Sequence, residues 1–134
     1  MQKIQKVVKD LMKKLYFLIF YLVTLNSFAV EKSTTFNKEL FLEAQKTGKT
    51  VVINSWNKTC STCAAQSKIL KEAKNEFKDV LFLSFEQTVD TGIAEYLKID
   101  YWTTIVVYKD NKEIARSIGE TNKSKIYSFI QKEI

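Results

Sequence analysis

The chain has 134 residues, 46% of them hydrophobic and 13% aromatic, which supports one packed domain plus an extension and excludes a disordered chain. Its formal charge of +6 sits mostly at one end, because Lys3, Lys6, Lys9, Lys13 and Lys14 against Asp10 put +4 into residues 1–29 and leave +2 for the rest. The remaining domain is nearly neutral, so no basic face for nucleic acid is expected.

Residues 1–29 read as an export signal. Lys13-Lys14 precede the apolar stretch from Leu15 to Leu25, and Ser27-Phe28-Ala29 then place small residues at the spacing a signal peptidase reads, with cleavage after Ala29. The rival is an uncleaved N-terminal membrane anchor, for which the run is short against the roughly 20 residues of a bilayer span. Met12 begins a more typical signal peptide than Met1 does. Residues 1–11 otherwise carry Ile4, Val7, Val8 and Leu11 on one face, the pattern of a basic amphipathic helix able to rest on a membrane. The domain proper is then 30–134, and an exported, periplasmic location is expected.

After a polar lead-in, Leu40, Phe41 and Ala44 recur at helical spacing from Asn37 to Thr47, and Gly48 supplies a C-terminal cap. Thr50 to Trp56 is an unbroken apolar, β-branched run, which suits a central strand covered on both faces. Helical spacing resumes from Cys60 to Phe77, with Ile69, Leu70, Ala73 and Phe77 inward and Lys68, Lys71, Glu72 and Lys74 facing water. Val80 to Phe85 reads as a second strand, and Thr91 to Leu97 as a short helix. Thr104 to Tyr108 and Glu113 to Ser117 form a hairpin around an Asp110-Asn111 turn. Ser124 to Ile134, with Ile126, Phe129, Ile130 and Ile134 on one face, closes the chain as a helix.

Cys60 and Cys63 are the only cysteines and there is no histidine. Tetrahedral zinc in a monomer needs four such ligands, and haem attachment needs a histidine after the second cysteine, so no metal and no cofactor are expected. An inert structural disulfide remains open, although a loop with two intervening residues constrains the unfolded chain little. The placement after a strand and at a helix start favours thiol–disulfide exchange instead. Unpaired N–H groups there favour a thiolate, which makes Cys60 the candidate nucleophile and Cys63, one turn further in, the candidate resolver. The Ser61 and Thr62 hydroxyls and the Lys58 charge are candidates for holding Cys60 ionised.

The order βαβ, then α, then ββα, with Cys-x-x-Cys at the first strand-to-helix junction, resembles the thioredoxin fold from Phe36 to Ile134. This is an α/β fold, with a central mixed β-sheet flanked by helices. Further points of likeness are Lys46-Thr47-Gly48-Lys49 before the central strand, Trp56 four residues ahead of Cys60, the strand Thr104-Ile105-Val106-Val107-Tyr108-Lys109, and Gly119 before the last helix. Residues Lys46 to Cys63 look particularly like exported thioredoxin-like proteins that handle periplasmic disulfides. The resemblance implies exchange with client protein thiols or disulfides. A redox partner that recharges the dithiol is also expected, since in a periplasm a working dithiol either oxidises clients or is re-reduced by a membrane partner. The expected assembly is a monomer.

Three departures qualify the resemblance. The family's Trp-Cys-Gly-Pro-Cys is here Thr59-Cys60-Ser61-Thr62-Cys63, so its redox potential does not transfer. The family's buried acid on the central strand corresponds to Asn54, which takes no proton, so resolution by Cys63 draws on water or another base and slow turnover is expected. The family's cis-proline corresponds to Thr103, and without proline the Trp102–Thr103 bond is expected trans. The residue before that proline pairs its backbone with an extended client in the family, and Trp102 holds that place. Tyr101 and Trp102 either form an apolar docking patch or fill core. A Thr103 hydroxyl can instead donate to a Cys60 thiolate. The leading expectation is therefore an exported protein-disulfide oxidoreductase, and the alternative is a non-catalytic thioredoxin-like protein- or peptide-binding module.

Overall fold

The computed structural model describes residues 1–23 and 33–132. The chain divides into two units, Met1–Glu31 and Lys32–Ile134. In the first, α1 runs from Gln2 to Val23 and leaves Ile4, Val7, Val8, Leu11, Met12 and Leu15 exposed. Among the described residues no helix is long and apolar enough to cross a membrane. The expected cleavage site, Ser27-Phe28-Ala29, lies outside the described residues.

The second unit contains α2 (Lys38–Lys46), β1 (Val51–Trp56), α3 (Ser61–Glu76), β2 (Leu81–Glu86), α4 (Thr91–Leu97), β3 (Thr104–Lys109), β4 (Lys112–Ile118) and α5 (Lys123–Gln131). The four strands form one sheet in the order β2-β1-β3-β4. β1 is parallel to β2 and antiparallel to β3, which in turn pairs antiparallel with β4. The expected βαβ-α-ββα order is present, with element ends within two residues of the expected ones, apart from the C-terminus of α5, where the chain beyond Lys132 is not described.

Local chemistry sets those ends. Asn37 and Asn122 cap α2 and α5 by accepting the backbone N–H of Leu40 and Lys125, satisfying donors that a helix start leaves orphaned. Gly48 follows α2 at φ +69°, a left-handed position suited to glycine. Asp110 and Asn111 both take positive φ (49° and 61°), which a two-residue hairpin turn between twisted strands requires.

β1 is buried along its whole length, as a strand covered on both faces should be. Side chains alternate across a strand, and this sorts the core into two layers. Val51 and Ile53 join Phe41, Leu83, Phe85, Leu97 and Val106 on the α2/α4 side. Val52 joins Leu70, Ala73, Ile105, Val107, Ile126 and Ile130 on the α3/α5 side. Tyr127 is also buried there, edge-on to Phe77 at 5.2 Å between ring centroids, a contact the apolar spacing of α5 did not include. By the same alternation Asn54 shares the face of Val52 and points toward α3. The carboxyl end of β1 thereby delivers a polar side chain beneath the cysteine-bearing helix start.

Candidate active site

The two cysteines meet at the junction of β1 and α3. Asn57 shapes the connection, its side-chain oxygen accepting the N–H of Thr59 at 3.0 Å and its carbonyl accepting the N–H of Cys60 at 3.3 Å. This brings Cys60 into the N-cap position of α3, with extended φ and ψ, where its Sγ accepts the Cys63 N–H at 3.0 Å. A sulfur in that place sits on the positive end of the helix, the position expected for a nucleophilic thiolate. Cys60 and Cys63 are joined as a disulfide with Cα atoms 5.2 Å apart. Cys60 is partly exposed whereas Cys63 is buried, the asymmetry expected of an attacking and a resolving sulfur.

Thr103 faces the disulfide from the loop before β3. Its hydroxyl lies 3.4 Å from Cys60 Sγ and 3.1 Å from Cys63 Sγ. The peptide bond before it is trans, as expected in a chain without proline. The loop is pinned to β1 by Ser55, whose hydroxyl donates to the Tyr101 carbonyl at 2.7 Å and whose carbonyl accepts the Thr103 N–H at 2.9 Å. The Thr104 hydroxyl donates to the same Tyr101 carbonyl at 2.6 Å.

Against the Thr103 loop lies a buried amide pair. Asn54 Nδ2 donates to Gln66 Oε1 at 2.6 Å and lies 3.3 Å from the carbonyls of Ser55 and Thr104. Gln66 Nε2 donates in turn to the carbonyls of Thr103 at 3.3 Å and Glu120 at 2.9 Å. Gln66 is fully buried and was not among the residues singled out from the sequence. Its signal was present: Cys63, Gln66, Leu70 and Ala73 recur at the three- and four-residue steps of a buried helix stripe.

Other expected site residues fall where their chemistry is weaker. Tyr101 and Trp102 are 64% and 48% exposed, so they do not fill core. The Trp102 backbone N–H and C=O have no hydrogen-bond partner among the described residues. Trp56 is buried at the end of β1. Lys58 directs its ammonium at the Glu86 carboxylate, 3.7 Å away, rather than at Cys60. Ser61 and Thr62 are exposed in the first turn of α3, and their hydroxyls make no hydrogen bond among the described residues. The hydroxyl at the sulfurs comes from Thr103 instead, because the first helical turn points these two side chains outward. Among the described residues no three His, Cys, Asp or Glu side chains cluster as metal ligands.

Comparison with known proteins agrees with this geometry. The family model for thioredoxin matches residues 27–132. The chain is 33% identical over 78 residues to a thioredoxin of Mycoplasma genitalium, covering 58% of this chain and 76% of that protein. It is 30% identical over 92 residues to a thioredoxin of Mycoplasma pneumoniae, covering 69% of this chain and 86% of that one. Among solved structures it superposes on Trxlp from Edwardsiella tarda with a TM-score of 0.67 at 22% identity, over 71% of this chain and 94% of that chain.

Proposed function

This chain belongs to the thioredoxin family, and on that premise we propose that it is an exported thiol–disulfide oxidoreductase that exchanges disulfides with client proteins through Cys60 and Cys63. The observation that carries the reading is the pairing of a partly exposed sulfur at a helix N-cap with a buried sulfur one turn further in. In the reduced protein the Cys60 thiolate attacks a client disulfide, forming a Cys60–client bond and releasing one client thiolate. The Cys63 sulfur then attacks Cys60 Sγ and closes the intramolecular disulfide. The electron pair of the Cys60–client bond leaves with the second client sulfur, which is thereby reduced, while the proton of Cys63 passes to solvent. Run in reverse, the same steps oxidise a client dithiol.

Trp102 supports the client side of this reading. An exposed indole beside backbone groups without partners offers an extended peptide both apolar contact and main-chain pairing. Export rests on the Lys13-Lys14 pair, the apolar stretch after it and the small residues ending at Ala29. In a periplasmic setting the pair then either oxidises clients or is re-reduced by a membrane partner.

A Cys63→Ser variant accumulates covalent adducts with client proteins through Cys60, whereas Cys60→Ser accumulates none. Equal trapping by both variants, or by neither, contradicts the assignment. A second reading, a thioredoxin-like binding module without turnover, is favoured by Asn54 in place of an acid. Absence of insulin reduction together with a couple inert to physiological dithiols would select it.

A further inference from the structure

Among the described residues Thr103 supplies the one side chain that hydrogen-bonds to both sulfurs. The backbone that puts it there is unusual, because Thr103 takes φ +60°, a left-handed conformation that β-branched residues avoid. Such a conformation persists only where its surroundings over-determine it. Here the Thr103 N–H donates to the Ser55 carbonyl at 2.9 Å, and its own carbonyl accepts both the Gly119 N–H at 2.8 Å and Gln66 Nε2 at 3.3 Å. Ser55, Gly119 and Gln66 thus hold an unfavourable backbone in place, and the result is a buried hydroxyl between two reactive atoms.

A hydroxyl has one proton to give and lone pairs to receive. We propose that in the reduced protein the Thr103 hydroxyl fixes the two sulfurs in unlike protonation states, donating to a Cys60 thiolate while accepting the S–H of Cys63. Cys60 is the sulfur to be charged because it alone caps α3 and accepts the Cys63 N–H. A hydrogen bond to a charged acceptor is the stronger one, so the single hydroxyl proton goes to Cys60. The lone pair left over faces Cys63, 3.1 Å away. Thr103 therefore reinforces the asymmetry that the α3 cap sets between the two sulfurs, with no bond made or broken other than hydrogen bonds. This inference rests on the redox role proposed above for the cysteine pair.

The test uses chemically reduced full-length protein and follows iodoacetamide alkylation of Cys60 across a pH series in wild type, Thr103→Val, Thr103→Ala and Thr103→Ser. Valine keeps the branched shape and removes only the hydroxyl, alanine repeats the removal with a smaller group, and serine restores the hydroxyl. Both hydroxyl-free variants should alkylate about tenfold more slowly at neutral pH, with the profile displaced to alkaline pH, while serine stays within about twofold of wild type. Wild-type rates and profiles in the valine and alanine variants overturn the proposal, as does a serine variant slowed as much as valine. Because alkylation needs no client, wild type that reduces no insulin but shows this ordering sinks the turnover reading alone. Insulin reduction without the ordering sinks the role of Thr103 alone.

Discussion

Asn54 donates its side-chain amide to Gln66 across 2.6 Å, joining the central strand to the helix that carries both cysteines. Both residues are buried, so each depends on the other for hydrogen bonds that water would otherwise supply. Gln66 extends the connection to the Thr103 and Glu120 carbonyls. A residue that touches neither sulfur thus positions the loop that touches both.

Replacing Gln66 by leucine keeps the volume and removes these bonds. Asn54 loses its shortest acceptor and the Glu120 carbonyl its side-chain donor, so a loss of about 1–3 kcal/mol is expected. Urea unfolding should show a lower midpoint at an unchanged slope. A midpoint equal to wild type would mean that the amide pair does not support the loop.

Asn54→Asp puts a carboxyl on the central strand, where the family resemblance expects a buried acid. Burial raises the pKa of such a group, and the protonated form can donate to Gln66 as the amide does. A raised folded pKa places its stabilising effect below the unfolded value of about 3.9, with progressive loss as pH rises through the folded value. The variant should therefore unfold at lower temperature as pH increases, relative to wild type. It should also clear a preformed Cys60–client mixed disulfide faster, since the buried core behind the site then holds a base. A pH-independent difference in melting temperature, or unchanged clearance, would contradict this placement.

The order of elements was legible because it rests on local patterns. The unbroken apolar run of β1, the glycine after α2 and the Asp110-Asn111 turn each declare themselves within a few residues. The cysteine pair was legible for the same reason, since a strand-to-helix junction fixes what a cap position does. What could not be read was long-range. Gln66 looks like one polar residue among many on α3 until β1, the Thr103 loop and Glu120 close around it. The left-handed backbone of Thr103 leaves no mark in a sequence where the residue type argues against it. Nearness in sequence to Cys60 does not decide where the long Lys58 side chain finds a partner, and its ammonium lies 3.7 Å from Glu86 on β2.

Trp102→Ala should separate docking from chemistry. The indole is exposed and makes no bond to either sulfur, so the Cys60–Cys63 reduction potential should stay at the wild-type value. KM for a protein disulfide should rise about tenfold, the effect of losing an aromatic anchor of roughly 1–2 kcal/mol. A changed potential with unchanged KM would show that the side chain acts on the sulfurs rather than on the client.

Far from the site, Tyr108 packs edge-on against Phe41 at 5.2 Å between ring centroids. Burial, reinforced by the Glu113 carboxylate, pushes its phenol from 10.0 up to about 12. The folded state thus holds the proton more tightly than the unfolded state does. Stability from this group is intact below the unfolded value near 10 and is lost as pH rises through about 12. Tyr108→Phe should accordingly flatten the alkaline limb of the stability profile, and an identical limb in both proteins would contradict the assignment.

Whether Cys60 and Cys63 form a working couple is decided most directly by equilibrating the protein in a graded series of reduced and oxidised glutathione and counting free thiols after acid quench. A reversible two-electron transition, in which both thiols appear together and the same midpoint is reached from either direction, is the predicted result. A disulfide that stays closed across the whole series, or sulfurs that titrate one at a time, would show that the pair does not pass electrons.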